Sequence, residues 1–150
     1  MTDIKTPEER SRNMAKIRSK GTAPEEYIRK RLFARGYRYQ KNVKLLEGCP
    51  DAWLSRYNTA LFVHGCFWHR HEECKYAYMP KSRIEFWSEK FRKNVARDVT
   101  VRRRLEEQGI RILIIWECTV KNMMKSEDIE LEKMGEIECF LHSECKFKEL

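Results

Sequence analysis

Apolar positions along the chain switch between a helical and an alternating period, and the switches mark the elements. Thr6-Pro7-Glu8-Glu9 reads as a capping box with proline in the first turn, predicting a helix to about Arg18. Met14, Ala15 and Ile17 give that helix only a weak core face. Thr22-Ala23-Pro24-Glu25 repeats the device, with Glu25 as its capping partner. Ile28, Leu32 and Phe33 would form the buried stripe of this second helix, leaving Arg29, Lys30 and Arg31 in water. Gly36 closes it. Residues 37–43 alternate loosely as a strand, and 45–50 form a turn region that delivers Asp51. Residues 52–54 and 59–63 read as two more strands around a turn at Arg56-Tyr57-Asn58, so pairing would bring Asp51 beside His64. A helix opens at Ser82 with Glu85 as box partner. Ile84, Trp87, Phe91, Val95 and Val99 keep its spacing, Val101 and Leu105 continue it with a small drift, as one long helix or two joined near Asp98, and Gly109 ends it. Residues 110–116 are apolar on both parities, as in a central strand. Ile129, Met134 and Ile137 would face inward from one or two last helices over about 122–141. This order describes a single α/β domain, 1–150, around a mixed β-sheet flanked by helices.

Charge changes the picture next. The formal net charge is +8, which favours a polyanion as partner. Residues 1–35 hold ten Lys/Arg against five Asp/Glu, and residues 81–104 hold nine against three. Residues 121–150 reverse to five against eight. One binding face and one solvated, acidic back are expected. Within the first helix, Arg12 and Lys16 belong to an arm suited to lie along DNA. The basic stretches lack a matching lipid face, so no membrane role is expected. No apolar run reaches membrane-span length. A charged N-terminus without an apolar leader points to the cytoplasm, where six cysteines would stay reduced.

Candidate chemistry concentrates in one stretch, CPDAWLSRYNTALFVHGCFWHRHEEC, residues 49–74. It contains three of the four histidines and three of the six cysteines. Cys66, His71 and Cys74 have the short spacing of zinc ligands, and Cys118, after the strong strand, is the expected fourth. His69 in place of His71 is the alternative ligand. The loop 65–79 has too few aliphatic residues to build its own core, so a metal would order it. Cys139, His142 and Cys145 form a weaker second cluster with no evident fourth partner. Cys49 reads as a small loop residue.

Asp51 can hold a hard Mg²⁺ through oxygen. His64 and His69 can exchange protons near neutral pH, and Asp98 is the candidate to orient one imidazole. Asp98 sits among Lys93, Asn94, Arg97 and Arg102, a face toward an anion. Phosphodiester hydrolysis is the chemistry such a set serves.

These residues carry a family resemblance. Pro50-Asp51, His64-Gly65-Cys66-Phe67-Trp68-His69, His71 with Cys74, Glu85-Phe86-Trp87, Lys93-Asn94-Val95 with Arg97-Asp98, and Trp116-Glu117-Cys118 resemble the very-short-patch mismatch-repair endonucleases. The likeness covers nearly all of residues 8–120 and implies a restriction-endonuclease-like core. It implies that Asp51 holds catalytic Mg²⁺, with the backbone carbonyl of Val63 as a further ligand where the family commonly has threonine. His69 would serve the attacking water with Asp98 behind it, His64 would contact the scissile phosphate, and Glu25 would be an auxiliary carboxylate. Structural Zn²⁺ would use Cys66, His71, Cys74 and Cys118. Phe67, Trp68 and Trp87 would enter the duplex beside the mismatch, and the basic first helix would embrace the DNA. The implied reaction is a nick 5′ of the thymine in a T:G mismatch in double-stranded DNA.

A monomer suffices to nick one strand, and contact with other DNA-repair proteins fits the same role. Two rival readings share the residues: a nicking or restriction-type nuclease with another sequence specificity, and a zinc-stabilised DNA-binding module without catalysis.

Overall fold

The computed structural model describes residues 21–44 and 46–150. The basic helix expected over the first 20 residues, with Arg12 and Lys16, lies outside them. Helix α1 spans Ala23–Ala34. Strands β1 (Ala52–Leu54) and β2 (Thr59–His64) flank a short 3₁₀ turn, Ser55–Tyr57. The long helix α2 is Ile84–Glu107 and strand β3 is Arg111–Trp116. Helices α3 (Glu117–Lys125) and α4 (Glu127–Leu141) lead to strand β4, Phe147–Glu149.

The four strands form one mixed sheet in the order β1-β2-β3-β4. β1 runs antiparallel to β2, while β2–β3 and β3–β4 are parallel. Period-two alternation divides the buried residues between the two faces. Leu61, Leu113 and Ile115 pack with Ile28 and Leu32 of α1 and with Val120, Met123, Met134 and Ile137 of α3 and α4. Ala60, Phe62, Ile112, Ile114 and Trp116 pack on the other face with Leu105 of α2. His64 shares the parity of Phe62 and therefore meets α2.

Several local expectations change under tertiary packing. Residues 37–43 do not form a strand. Gln40 makes a single bridge to Trp53, and Asn42 then turns the chain with a positive φ of 48°. Thr22 makes no side-chain cap; Glu25 instead accepts from the Gly21 amide at 2.8 Å. Arg29, expected in water, is 2% exposed, whereas Phe33 is 55% exposed. The α2 box at Ser82 is also absent, since Arg83 takes a left-handed conformation as the N-cap. Only Phe91 and Leu105 of α2 are buried, and Ile84, Val95 and Val99 remain exposed. The helix crosses the sheet with one end and extends over the 65–79 loop with the other, so its apolar stripe outruns the core available to cover it. The last helical region begins at Glu117 and breaks at Ser126, whose Oγ accepts from the Ile129 amide. β4 has no strong pattern of its own. It exists because the free edge of β3 supplies partners, including Leu150 N–H to the Ile114 carbonyl at 2.9 Å.

The turn before Asp51 is tightly built. Gly48 has φ +75°, and a Cβ there would lie 2.5 Å from Val101 Cγ1. Gly48→Ala is therefore expected to lower unfolding free energy by about 2–3 kcal/mol, through strain and overpacking together. Urea titration checks this; an unchanged midpoint would show that the turn relaxes freely.

Candidate active site

β2 ends at His64, and the chain turns sharply through Gly65. His69 N–H bonds to the Gly65 carbonyl and His71 N–H to that of Cys66, both at 3.0 Å. This coil throws alternate side chains in opposite directions. His69 folds back over His64, their rings stacked 3.9 Å apart at 6°. His71 faces away and stacks on Trp116 at 4.2 Å.

Asp98 approaches from α2, its Oδ2 2.7 Å from His69 Nδ1. It is thus a paired residue rather than a mid-helix surface charge. A proton on His69 Nδ1 is donated to Asp98, which fixes the ring's orientation. Burial holds the His64 imidazole down to about 3, helped by neighbouring His69, so His64 is neutral at physiological pH.

Asp51 arrives one residue before β1. Because Ala52 pairs with Leu61, Asp51 falls opposite Phe62, and its side chain reaches the next amide, that of Val63, which donates to Asp51 Oδ2 at 2.7 Å. The Val63 carbonyl leaves the strand on the same edge as its amide, beyond the end of β1. Glu25, buried on α1, and Asp51, His64, His69 and Asp98 all line one cleft of about 1250 Å³. Its donors on the Asp51 side are hard oxygens, of the kind magnesium takes.

The second cluster is separate. Parallel register places His64 beside Trp116, and two residues further the Cys118 amide donates to Cys66 Sγ at 3.4 Å. Donor atoms of Cys66, His71, Cys74 and Cys118 all lie within 4.8 Å of one another. His71 Nδ1 is 3.6 Å from Cys66 Sγ and 3.4 Å from Cys118 Sγ. A tetrahedral ion with Zn–N and Zn–S bonds of about 2.0–2.3 Å requires donor separations of about 3.5–3.8 Å. The cluster therefore fits a structural metal. Burial pushes the Cys66 thiol up to about 12, so a thiolate there needs a cation beside it. His71, and not His69, is the histidine grouped with the three thiols, while His69 is engaged by Asp98. Cys139, His142 and Cys145 do not form a ligand cluster among the described residues; His142 instead contacts the Tyr37 hydroxyl at 3.1 Å.

An aromatic group rims the cleft. Phe67 contacts Trp68, Trp87, Tyr78 and Phe91 with ring centroids 5.0–5.5 Å apart. Trp87 is half-buried. Asn94 donates to the Trp68 carbonyl at 3.1 Å, holding this loop to α2. Arg97 lines the cleft, whereas Lys93 points off it toward Glu89. Lys90 and Arg102 line it too. Lys90 was missing from the DNA-facing set read from sequence, although it lies four residues before Asn94 and so on the same helical face. Phe86, 45% exposed, and Tyr78, 63% exposed, extend the aromatic rim.

A mixed sheet with helices on both sides thus carries one cleft holding carboxylates and histidines, with a Cys/His cluster beside it. A family model described as DNA mismatch endonuclease Vsr matches residues 2–76. The type II nicking enzyme V.NmeAIP of Neisseria meningitidis is 48% identical over 122 residues, 81% of this chain and 86% of that protein. The type II nicking enzyme V.XorIIP of Xanthomonas oryzae is 41% identical over 82% of this chain and 90% of its own length. The DNA mismatch endonuclease Vsr of Escherichia coli is 39% identical over 93% of this chain and 89% of its own. The chain belongs to the Vsr family and is a DNA endonuclease. Among the described residues no helix is long and apolar enough to cross a membrane.

Burial pushes the Asp51 carboxyl up from its ordinary 3.8 to about 7, Glu25 adds to this, and the Val63 amide and Arg29 pull against it. A raised acid stabilises the fold fully below about pH 4, and that contribution is lost as pH rises through about 7. Asp51→Asn stays neutral. Without added divalent ion it should exceed wild type in stability by ~1–3 kcal/mol at pH 8 and match it near pH 4. Denaturation at the two pH values measures this; equal stability at pH 8 would contradict a strained carboxylate.

Proposed function

We propose that the protein is a magnesium-dependent endonuclease that nicks one DNA strand 5′ of the thymine in a T:G mismatch, the lesion left by deamination of 5-methylcytosine. The observation that supports the hydrolytic chemistry of this reading is the Asp98–His69 pair, stacked on His64, in the same cleft as Asp51, and the mismatch specificity rests on the likeness to the mismatch endonucleases. In this reading Asp51, with the Val63 carbonyl, holds Mg²⁺, which supplies charge neutralisation for the phosphate and its leaving oxygen.

The chain's own residues do the rest. Asp98 keeps the Nδ1 proton on His69, so Nε2 takes a proton from the attacking water. His64, neutral, donates an N–H to the scissile phosphate. Glu25 orders the region around Asp51 from α1. Phe67, Trp68 and Trp87 present flat rings to replace a lost base stack, and a mispaired step costs less to open than a paired one. Lys90, Asn94 and Arg97 face the duplex from α2. Cys66, His71, Cys74 and Cys118 hold Zn²⁺, which anchors the loop carrying His69 to the end of β3. One such site cuts one strand, which suits a monomer.

A second reading has its own support. Several relatives are named type II nicking enzymes rather than mismatch endonucleases. Their chemistry would be the same, with specificity set by flanking bases other than those of the mismatch enzyme. A non-catalytic DNA-binding role leaves Asp51, His64 and His69 without purpose.

A labelled duplex panel varying mismatch and flanking sequence separates the two readings. The first expects one nick beside the T:G thymine and none in the A:T control; cutting of fully paired duplex would favour the second. Asp98→Asn is expected to slow nicking by about 10²–10⁴-fold without unfolding the protein. A variant of wild-type rate would remove Asp98 from the mechanism. Thiol modification of the four-ligand cluster should release close to one zinc per chain, read with a metallochromic dye, and lower the melting temperature. Release of no metal would refute the zinc assignment.

A further inference from the structure

Arg29 is the one arginine among the described residues that is almost wholly buried, 2% exposed. Burying a guanidinium is costly, and nothing in the packing of α1 requires it, since Ile28 and Leu32 already fill the core stripe. Its contacts explain the position. Nη1 donates to the main-chain carbonyl of Asp51 at 3.0 Å and lies 3.7 Å from Glu25 Oε2. Nη2 binds Glu26 Oε1 at 2.5 Å. The guanidinium therefore joins the helix carboxylates to the strand residue that begins the cleft.

Asp51 is consequently clamped at two points. Arg29 holds its carbonyl, and the Val63 amide holds Oδ2. Glu25 is clamped likewise, by the Gly21 amide and by Arg29, both at Oε2. In each carboxylate one oxygen is engaged and the other is left without a hydrogen bond among the described residues. Glu25 and Asp51 lie on separate segments, α1 and the turn before β1, and the planar, permanently charged guanidinium contacts both, Glu25 at its carboxylate and Asp51 at its main-chain carbonyl.

We propose that Arg29 is a positioning residue that ties α1, through Glu25 and Glu26, to the main chain of Asp51 and so holds Asp51 where it would take a divalent cation. This rests on the magnesium reading above and adds to it a residue that touches neither DNA nor the ion. Lysine cannot bridge both partners, because it lacks the planar fork.

The test uses the full chain without DNA. Mn²⁺ binding, followed by the loss of its free-ion EPR signal, is compared for wild type, R29M and R29K, and nicking rates are recorded against Mg²⁺ concentration. Melting curves identify folded variants, and R29K preserves the buried charge should R29M not fold. The expected result is weaker Mn²⁺ binding by about tenfold or more, as for other groups that orient metal ligands. The Mg²⁺ requirement should rise in step, with KM for the duplex changed less than about twofold, and R29K should recover only part of the loss. A folded R29M or R29K with a wild-type Mn²⁺ isotherm overturns the role of Arg29 alone. A wild-type protein that depletes no Mn²⁺ overturns the magnesium reading itself, and the role of Arg29 with it.

Discussion

The parallel pairing of β2 with β3 is the constraint on which the rest depends. It sets His64 against Trp116 and, continuing past both strands, Cys66 against Cys118. One register thereby assembles two different clusters within a few residues. A slip by one residue would turn His64 to the opposite face and separate the thiols. Burial on both faces of β3 makes such a slip expensive, because Ile112 and Ile114 serve one core and Leu113 and Ile115 the other. The functional geometry is therefore underwritten by ordinary hydrophobic register.

The loop 65–79 illustrates a division between order and chemistry. It lacks aliphatic residues, so no core of its own holds it. Three ties substitute: the Cys/His cluster, the aromatic contacts of Phe67 with Trp87 and Phe91, and the Asn94 bond to the Trp68 carbonyl. All three anchor the segment that carries His69, and two of them come from α2, as does Asp98. The long helix acts as a splint, and its exposed Ile84, Val95 and Val99 are the part of its apolar stripe that neither the sheet nor the 65–79 loop covers.

The electrostatics of the cleft are strained in the absence of a ligand. Glu25 is buried and Asp51 half-buried, both lining the same cleft, and His64 is held neutral. Arg29 meets part of this charge from behind, through the Asp51 carbonyl and the Glu25 carboxylate. A cation in front would meet the rest. Sites of this kind trade stability for readiness, and a carboxylate pushed up to about 7 is one measure of that trade.

Sequence alone determined the elements with strong periodicity, and the residue types able to bind metal or move protons. Strand 59–63, strand 110–116 and the helix from 84 needed no tertiary information, because the first two are short apolar runs bounded by turns and the third repeats at helical spacing. The ligand chemistry of Cys66, Cys74 and Cys118 was likewise legible from donor type and spacing. Tertiary structure alone decided between His69 and His71, since both lie within reach along the chain and only the three-dimensional approach of Asp98 takes one of them away. It also decided that Arg29 is buried, that residues 37–43 give up their strand, and that β4 forms at all. Each of these outcomes depends on a partner distant in sequence: a strand edge, a carbonyl, a second helix. Local pattern records what a segment can do by itself, whereas hydrogen bonds and burial across the fold select which of those options is realised.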